Sequence, residues 1–569
     1  MVLDKVWDVA GGIPPEVQDE LKAYPPILRQ MLFNRQIRTS NAADQYLNAA
    51  GSLHNPFLLG GMEAAVRRIL YALDHDENIA VYGDYDVDGV TATALLVQAL
   101  RKIGRDHNGR IREYIPNRFV EGYGLNEEAL RELSQDGFHL VITVDCGIRS
   151  PREVALANSL GVDTIISDHH GPLGELPEAA AIICQKLAGD AYPDKDLAGV
   201  GLAFKIVEAL LDTRPVWGLS AVQWLDLVAV GSVADLVPLV GENRAMVKAG
   251  LNLLRRTSRP GMIALAKVAG VQLDRINARD IGFAIGPRLN AAGRLDTAIQ
   301  AYNLLMAEDK SSAEELAVKL NDQNRERQDL TRQMVEQVEK SATISPSDDL
   351  IFAVDSGFNM GIVGLVASRL VENYYRPAVV GARGEEFTRA SCRSIPEFHI
   401  TRALDECADL LVRHGGHKSA AGFTVRNDQL PLLEERLRKI AAEKLGSLQL
   451  RPQMRADLAI KLDQLRPALL GELELLEPTG MDNPEAVFAS YHVGVDRMRA
   501  VGEGKHLRLR LRSDKNIIHD GIAFRMGDLE STNLVRANIL YCYELNSYTD
   551  DRGRLHEDLQ LRIRDIKPG

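Results

Sequence analysis

The chain has 569 residues, 45% hydrophobic and 26% charged, enough for about four domains that each bury a core. A formal net charge of −12 argues against indiscriminate binding of a polyanion, because such affinity comes largely from Lys and Arg neutralising phosphates; any nucleic-acid path must be local. Five scattered cysteines without a CxxC pair suggest neither a disulfide framework nor a zinc finger, and no basic leader or long apolar run is present, so a cytoplasmic protein that does not span a membrane is expected.

Residues 1–75 read as a helical lead without an interpretable motif, in which residues 36–47 suit packing on a sheet. An apolar run, residues 79–82, then enters Gly83-Asp84-Tyr85-Asp86-Val87-Asp88-Gly89. Three carboxylates this close repel unless a cation holds them, so the choice lies between a solvated acidic loop and a divalent-metal site. An EF-hand would need a glutamate where Leu95 stands, and residues 90–96 continue as a helix instead. The acids are therefore expected on a strand-to-helix turn. Two more strands end in ligand-type residues: residues 140–144 run into Asp145, and residues 164–167 into Asp168, His169 and His170, with a helical pattern over 151–160 between them. In open parallel sheets ligands collect beyond the carboxyl ends of the strands, which places Asp84, Asp86, Asp88, Asp145, His169 and His170 along one sheet edge. Asp235 interrupts the apolar segment 228–238; alone it reads as a helix cap or a core acid, and beside the other acids as a further ligand.

Residues 311–341 lack Gly and Pro and read as one long helix. Residues 321–329 contain nothing apolar, so the helix is expected to bridge domains through solvent over about 45 Å. Strands and helices alternate again over 349–445, where the run His414-Gly415-Gly416-His417-Lys418 is either a plain turn or a phosphate cradle. Short strands at 453–460, 487–496, 506–512, 517–524, 538–546 and 558–565 suit a small barrel. From Lys505 onward residues alternate at strand period, so that His506, Arg508, Arg510 and Arg512 share one face. That face is a solvated edge or a groove for a single strand, with Tyr541 and Tyr543 either stacking on bases or packing.

Taken together, GDYDVDGVTATALL from Gly83, VITVDCGI from Val141, SDHHGP from Ser167, VGSVADLVPL from Val230, IGPRLNAAGRLD from Ile285, MGIVGLVASRL from Met360, CRSIPEF from Cys392 and GGHKSAAGF from Gly415 resemble the DHH phosphoesterase superfamily, and within it the RecJ family. The resemblance runs from about residue 78 to the C-terminus. It implies an α/β multidomain fold: a parallel-sheet DHH catalytic domain over 76–300, a bridging helix within 301–345, an α/β DHHA1 domain over 346–446 and an OB-like barrel over 450–569. Carboxylates and imidazole without cysteine suit two ions of Mn²⁺ or Mg²⁺, with histidine favouring manganese. Expected metal ligands are Asp84, Asp86, Asp88, Asp145, His169 and Asp235, with Asp145 bridging from a central strand end. His170 would contact the scissile phosphate and Asp168 would orient an imidazole. The resemblance further implies that Arg118 and Tyr123 meet the substrate end, and that Ser391, Arg393, Ser394 and His417 face the active site across a cleft. Arg288, Asn290 and Arg294 suit substrate contact and interdomain packing equally. Lys505, His506, Arg508 and Arg510 would grip DNA on the barrel.

The expected activity is metal-dependent 5′-to-3′ hydrolysis of single-stranded DNA to 5′-mononucleotides in repair and recombination, by a monomer assisted by a helicase and a single-strand-binding protein. Two alternatives stand beside it. An enzyme for short oligonucleotides or nucleotide bisphosphates would need no barrel, and a catalytically silent DNA-binding replication factor should have lost its acids. The chain departs from the family pattern at Phe358-Asn359-Met360, where a histidine is frequent, and at Cys184-Gln185-Lys186, which replaces a common Asn-Pro.

Overall fold

The structure, a computed structural model, describes residues 4–48, 53–118, 120–122, 124–341, 348–549 and 555–569. A short strand near the N-terminus, β1 (Val6–Val9), is followed by three helices, Pro15–Glu20, Pro26–Asn34 and Ser40–Asn48. The catalytic sheet is formed by β2 (Asn78–Gly83), β3 (Ile111–Tyr114), β4 (Phe138–Val144), β5 (Asp163–Ser167) and β6 (Ala181–Ile183), in the order β3-β2-β4-β5-β6. Every pairing is parallel. Helices cover both faces, which is why β4 reads as an almost unbroken apolar run. Ile79 and Val81 join one core with the helices Met62–Asp74 and Val87–Ile103, while Ala80 and Tyr82 join the opposite one with Glu127–Gln135 and Pro151–Ser159. The chain leaves β2 for β3 on one side and returns to β4 on the other, so a crevice opens between the carboxyl ends of β2 and β4.

A 32-residue helix, Lys310–Ser341, links this domain to the next. Its first half puts Ala313, Ala317 and Leu320 into the catalytic core, and its second half puts Met334, Val335 and Val338 into the core of the following domain. The middle is not a bridge through solvent on all sides. Asn321 and Asn324 are buried, and Asn321 Oδ1 accepts a hydrogen bond from Arg288 Nε at 3.1 Å. The polar stretch turns one face toward the protein because that face meets polar partners, which its composition conceals.

The next domain is a five-stranded sheet of β7 (Ile351–Asp355), β8 (Ala378–Arg383), β9 (Phe387–Arg393), β10 (Leu411–Gly416) and β11 (Ala420–Arg426), in the order β10-β11-β9-β8-β7. The C-terminal region contributes β12 (Gln453–Ala456), β13 (Leu458–Ala459), β14 (Phe488–Val501), β15 (His506–Arg512), β16 (Ile518–Ala523), β17 (Arg536–Thr549) and β18 (Leu555–Pro568). A second pairing of β14, with β17, closes the ring β14-β15-β16-β18-β17 into a barrel. Leu507, Leu509 and Leu511 fill its interior at period two. Tyr541 and Tyr543 are buried in the same core, where the Tyr541 hydroxyl lies 3.0 Å from Ser490 Oγ; they pack the barrel and offer no face to a base.

The N-terminal helices share the barrel core through Val17, Leu21, Leu28, Met31, Ala43 and Leu47. β1 pairs in parallel with β12, and Trp7 Nε1 donates to Asp565 Oδ2 at 2.7 Å. The helix predicted over residues 36–47 therefore packs on the barrel, not on the catalytic sheet.

Candidate metal centre

The crevice between β2 and β4 gathers every acid that the sequence places along the sheet edge. β2 ends at Gly83, and Asp86 caps the following helix by accepting from Gly89 N–H at 3.1 Å. Asp88 lies inside the first helical turn, not on the preceding turn as expected. Its carboxylate accepts from Gly199 N–H at 2.6 Å and Val200 N–H at 2.8 Å, the start of the helix Gly199–Thr213, whose amino end favours a negative charge. Asp145 follows β4 with a φ of 64°. A side chain at Gly199 would come within 2.6 Å of Asp145 Cβ, so glycine is what lets these two segments meet. Asp235 occupies the C-cap of the helix Leu225–Ala234, as the cap reading expects, and its carboxylate lies close to Asp88 and His169.

His169 and His170 diverge. His169 Nε2 lies 3.0 Å from Asp145 Oδ1, 3.6 Å from Asp235 Oδ2 and 3.8 Å from Asp88 Oδ2. Burial, then the neighbouring His170, lowers its pKa to about 3, and the backbone of Leu197 hydrogen-bonds the ring; a neutral imidazole fixed from behind is the form that ligates metals. His170 Nδ1 lies 2.8 Å from Asp168 Oδ1, which also accepts from His170 N–H at 2.9 Å. Asp168 Oδ2 accepts from Ile148 N–H at 2.9 Å. Burial pushes the Asp168 carboxyl up, but the hydrogen bond and charge of His170 and the backbone donors outweigh it and hold the group below its ordinary value. An ionised Asp168 accepts, so His170 carries its proton on Nδ1 and presents Nε2.

The electrostatics are those of a site built for cations. Burial, then the charge of a neighbouring acid, holds Asp84, Asp88 and Asp145 well above the usual carboxylate range. Burial and Asp86 raise Asp235 to about 7. Buried Asp84 Oδ1 and His169 Nε2 make no hydrogen bond. Ligand atoms of three sets, Asp84 with Asp86 and Asp145, Asp88 with His169 and Asp235, and Asp145 with His169 and His170, each lie within 4.8 Å of one another. The first two sets share no residue, and the third joins them. Oxygen and imidazole donors, buried acids that repel and two disjoint sets fit a pair of divalent ions of the Mn²⁺ or Mg²⁺ kind.

Arginines border the acids. The Arg118 guanidinium sits 5.0 Å over the Tyr85 ring. Arg294 is lowered to about 10 by burial and then by Arg118, Arg327 and Arg393. Arg393 is lowered by burial and by Arg118, and its Nη2 lies 3.2 Å from where a side chain on Gly364 would start, with Ser391 Oγ at 3.5 Å from that point. Buried guanidiniums with further arginines nearby suit an anion. The other expected contacts are spread more widely. Arg288 donates to Asn321 Oδ1 on the long helix and, at 2.8 Å, to the Ala284 carbonyl four residues before it. Asn290 is half-buried on the helix Gly286–Leu295. Ser394 Oγ is turned into its own loop, donating to the Phe398 carbonyl at 2.7 Å, and His417 is exposed at the turn after β10. Tyr123 lies outside the described residues. On the barrel, Arg508 and Arg510 are exposed as the alternation predicts, but neither they nor Lys505 and His506 line the cavity between the domains. Lys505 pairs with Glu503 at 2.6 Å, Arg510 with Asp520 at 3.7 Å, and His506 Nδ1 accepts from Arg525 N–H at 3.0 Å.

Four participants escaped the sequence. Gly199 and Val200 hold Asp88 through backbone donors, signalled only by glycine at a helix start. Lys186 is exposed, yet its charge reaches Asp235 and His169. Arg327 lies in the polar stretch of the long helix.

Three family models match the chain: the DHH family N-terminal domain over residues 78–232, the DHHA1 domain over 347–443 and the RecJ OB domain over 456–565. The single-stranded-DNA-specific exonuclease RecJ of Bacillus subtilis is 39% identical over 90% of this chain and 65% of its own length. That of Escherichia coli is 33% identical over 97% of this chain and 98% of its own. The crystal structure of Thermus thermophilus RecJ in complex with Mn²⁺ superposes with a TM-score of 0.83 at 30% identity, covering 99% of this chain and 79% of that one; the same protein is also solved with Mg²⁺. A DHH sheet, a DHHA1 sheet and a closed barrel in this order, with such relatives over nearly the whole length, make this chain a member of the RecJ family.

Proposed function

We propose that the chain hydrolyses single-stranded DNA from its 5′ end, breaking the bond between phosphorus and the 3′-oxygen of the first nucleotide and releasing 5′-mononucleotides. The observation that carries this reading is the pair of disjoint ligand sets joined through Asp145 and His169. Asp84, Asp86 and Asp145 would hold one ion, and Asp88, His169 and Asp235 the other, with Asp145 reaching toward both. When bound, two such ions activate a water and stabilise the departing oxygen. The protein supplies position and charge. Arg118, Arg294 and Arg393 draw the terminal phosphates into the crevice, and Ser391 adds a hydroxyl beside Arg393. His170 offers Nε2 to the scissile phosphate, while Asp168 keeps its ring oriented and its proton on Nδ1.

We place this activity in the cytoplasm, in a monomer to which a helicase and a single-strand-binding protein deliver substrate; no described helix is long and apolar enough to cross a membrane. The barrel disfavours an enzyme restricted to dinucleotides, and the complete acid set disfavours a silent scaffold. The test uses a long single strand labelled at either end, in Mn²⁺, with wild type and Asp145→Ala. Immediate release of 5′-labelled mononucleotide by wild type alone is expected. Release from the 3′ end, or cleavage of dinucleotides with long DNA left intact, would overturn the reading.

A further inference from the structure

A cavity of about 1470 Å³ separates the catalytic domain from the barrel and the second α/β domain. Its walls carry apolar side chains that a folded protein ordinarily covers. Phe283 is 82% exposed and Leu236 64% exposed, and both line this space together with Phe524 and Met481. Neither of the first two is there by default. Leu236 directly follows the proposed ligand Asp235 and has a φ of 61°, a left-handed conformation that disfavours a leucine. Phe283 sits in the middle of a π-helical turn, Ile281–Ile285, in which Gly286 N–H reaches back to the Ile281 carbonyl. Such turns insert an extra residue and re-aim a side chain, and they recur at functional sites. This one packs against the helix that carries Asp235: side chains grown at Gly282 and Gly286 would contact Val233 at 3.9 Å and Ala234 at 3.4 Å. Strain and exposure thus coincide on two residues tied to the edge of the metal centre.

We propose that Phe283, with Leu236 beside it, is a stacking platform for a nucleobase of the strand as it approaches the metal centre. This rests on the single-strand reading above. A base is the occupant that fits, because the apolar platform continues from the proposed ligand Asp235, and because Arg564 lines the same cavity together with Arg279, which also pairs with Glu544 at 3.3 Å, and Arg525, which also pairs with Glu372 at 3.9 Å, as cations for the accompanying phosphates. Stacking tolerates any base, since each has a π-face, as an enzyme that consumes a strand of arbitrary sequence requires. Phe283 is a positioning residue in this scheme: it holds the base and leaves the reacting atoms to the acids and His170.

Single-turnover degradation of a 5′-labelled strand, intact or carrying one abasic residue, tests the platform with Phe283→Ala and Phe283→Trp. Phe283→Ala should slow release from the intact strand about 10-fold, and Phe283→Trp should restore it. Wild type should pause as the abasic residue reaches the platform, and Phe283→Ala should show no added pause there. An alanine variant as fast as wild type on the intact strand, or one that pauses at the abasic residue as wild type does, would overturn the proposal. Wild type inactive on both strands would instead remove the nuclease reading on which it rests.

Discussion

The metal centre and the basic strand of the barrel concentrate charge in opposite ways. Asp84, Asp88 and Asp145 are buried, crowd one another and are pushed toward the protonated form. Arg508 and Arg510 are exposed, and Arg510 already faces Asp520. Charge that a fold buries against its own interest calls for a partner the chain does not supply, whereas exposed, part-compensated charge needs none. The acids are therefore strong evidence for chemistry, and the basic strand weak evidence for a binding groove.

If the acids work as a preformed cradle, large losses should follow even from changes that move a carboxylate without removing it. Gly199→Ala puts a Cβ within 2.6 Å of Asp145 Cβ and moves the backbone donors of Asp88. A loss of about 10³-fold in turnover, on the order of 4 kcal/mol, is expected on labelled single strands, with Mn²⁺ affinity falling in parallel. Turnover near wild type would mean the close approach is incidental. Asp168→Asn keeps the shape but no longer fixes the tautomer of His170. Its activity should drop about 10- to 100-fold while the bound metal count stays unchanged, a combination that a merely structural role would not give.

The residues also show where the sequence runs out. Ligands at strand ends are a local pattern, and the barrel strands declare themselves by period two, so both are readable from one chain. The parallel pairing of Val6 with Gln453 leaves no local trace, and neither does the capture of the N-terminal helices by the barrel core. Tyr541 and Tyr543 share a face with each other, but alternation cannot say which face is inside. The polar stretch of the long helix misled because Asn321 and Asn324 are buried against the protein. Phe283 reads as one more apolar residue in a helical run, and only its π-turn turns it outward.

A smaller effect separates the two charge regimes by pH. Asp235 is raised to about 7 by burial and by Asp86. A carboxyl raised in the folded state contributes stability that is complete below its unfolded pKa of about 4 and lost as pH rises through its folded one. Metal-free wild type should therefore melt below metal-free Asp235→Asn at pH 8, with the gap closing toward pH 5, and Mn²⁺ should stabilise wild type more at pH 8 than at pH 5. A gap independent of pH, followed by thermal melting, would contradict the assigned cause. The smallest change is expected on the barrel. Replacing Arg508 and Arg510 together by alanine should leave trinucleotide cleavage intact and lower the salt slope for long-strand binding by about one for each phosphate no longer neutralised. An unchanged slope would remove that strand from the DNA path.

The most direct test of the account is the Mn²⁺ stoichiometry of the purified chain, read by equilibrium dialysis and electron paramagnetic resonance in wild type and Asp145→Asn. Wild type should bind two Mn²⁺ close enough for spin coupling, and Asp145→Asn should lose the coupling together with strand hydrolysis. A single ion in wild type, or two coupled ions that persist without the Asp145 carboxylate, would contradict the claim that Asp145 joins two metal sites.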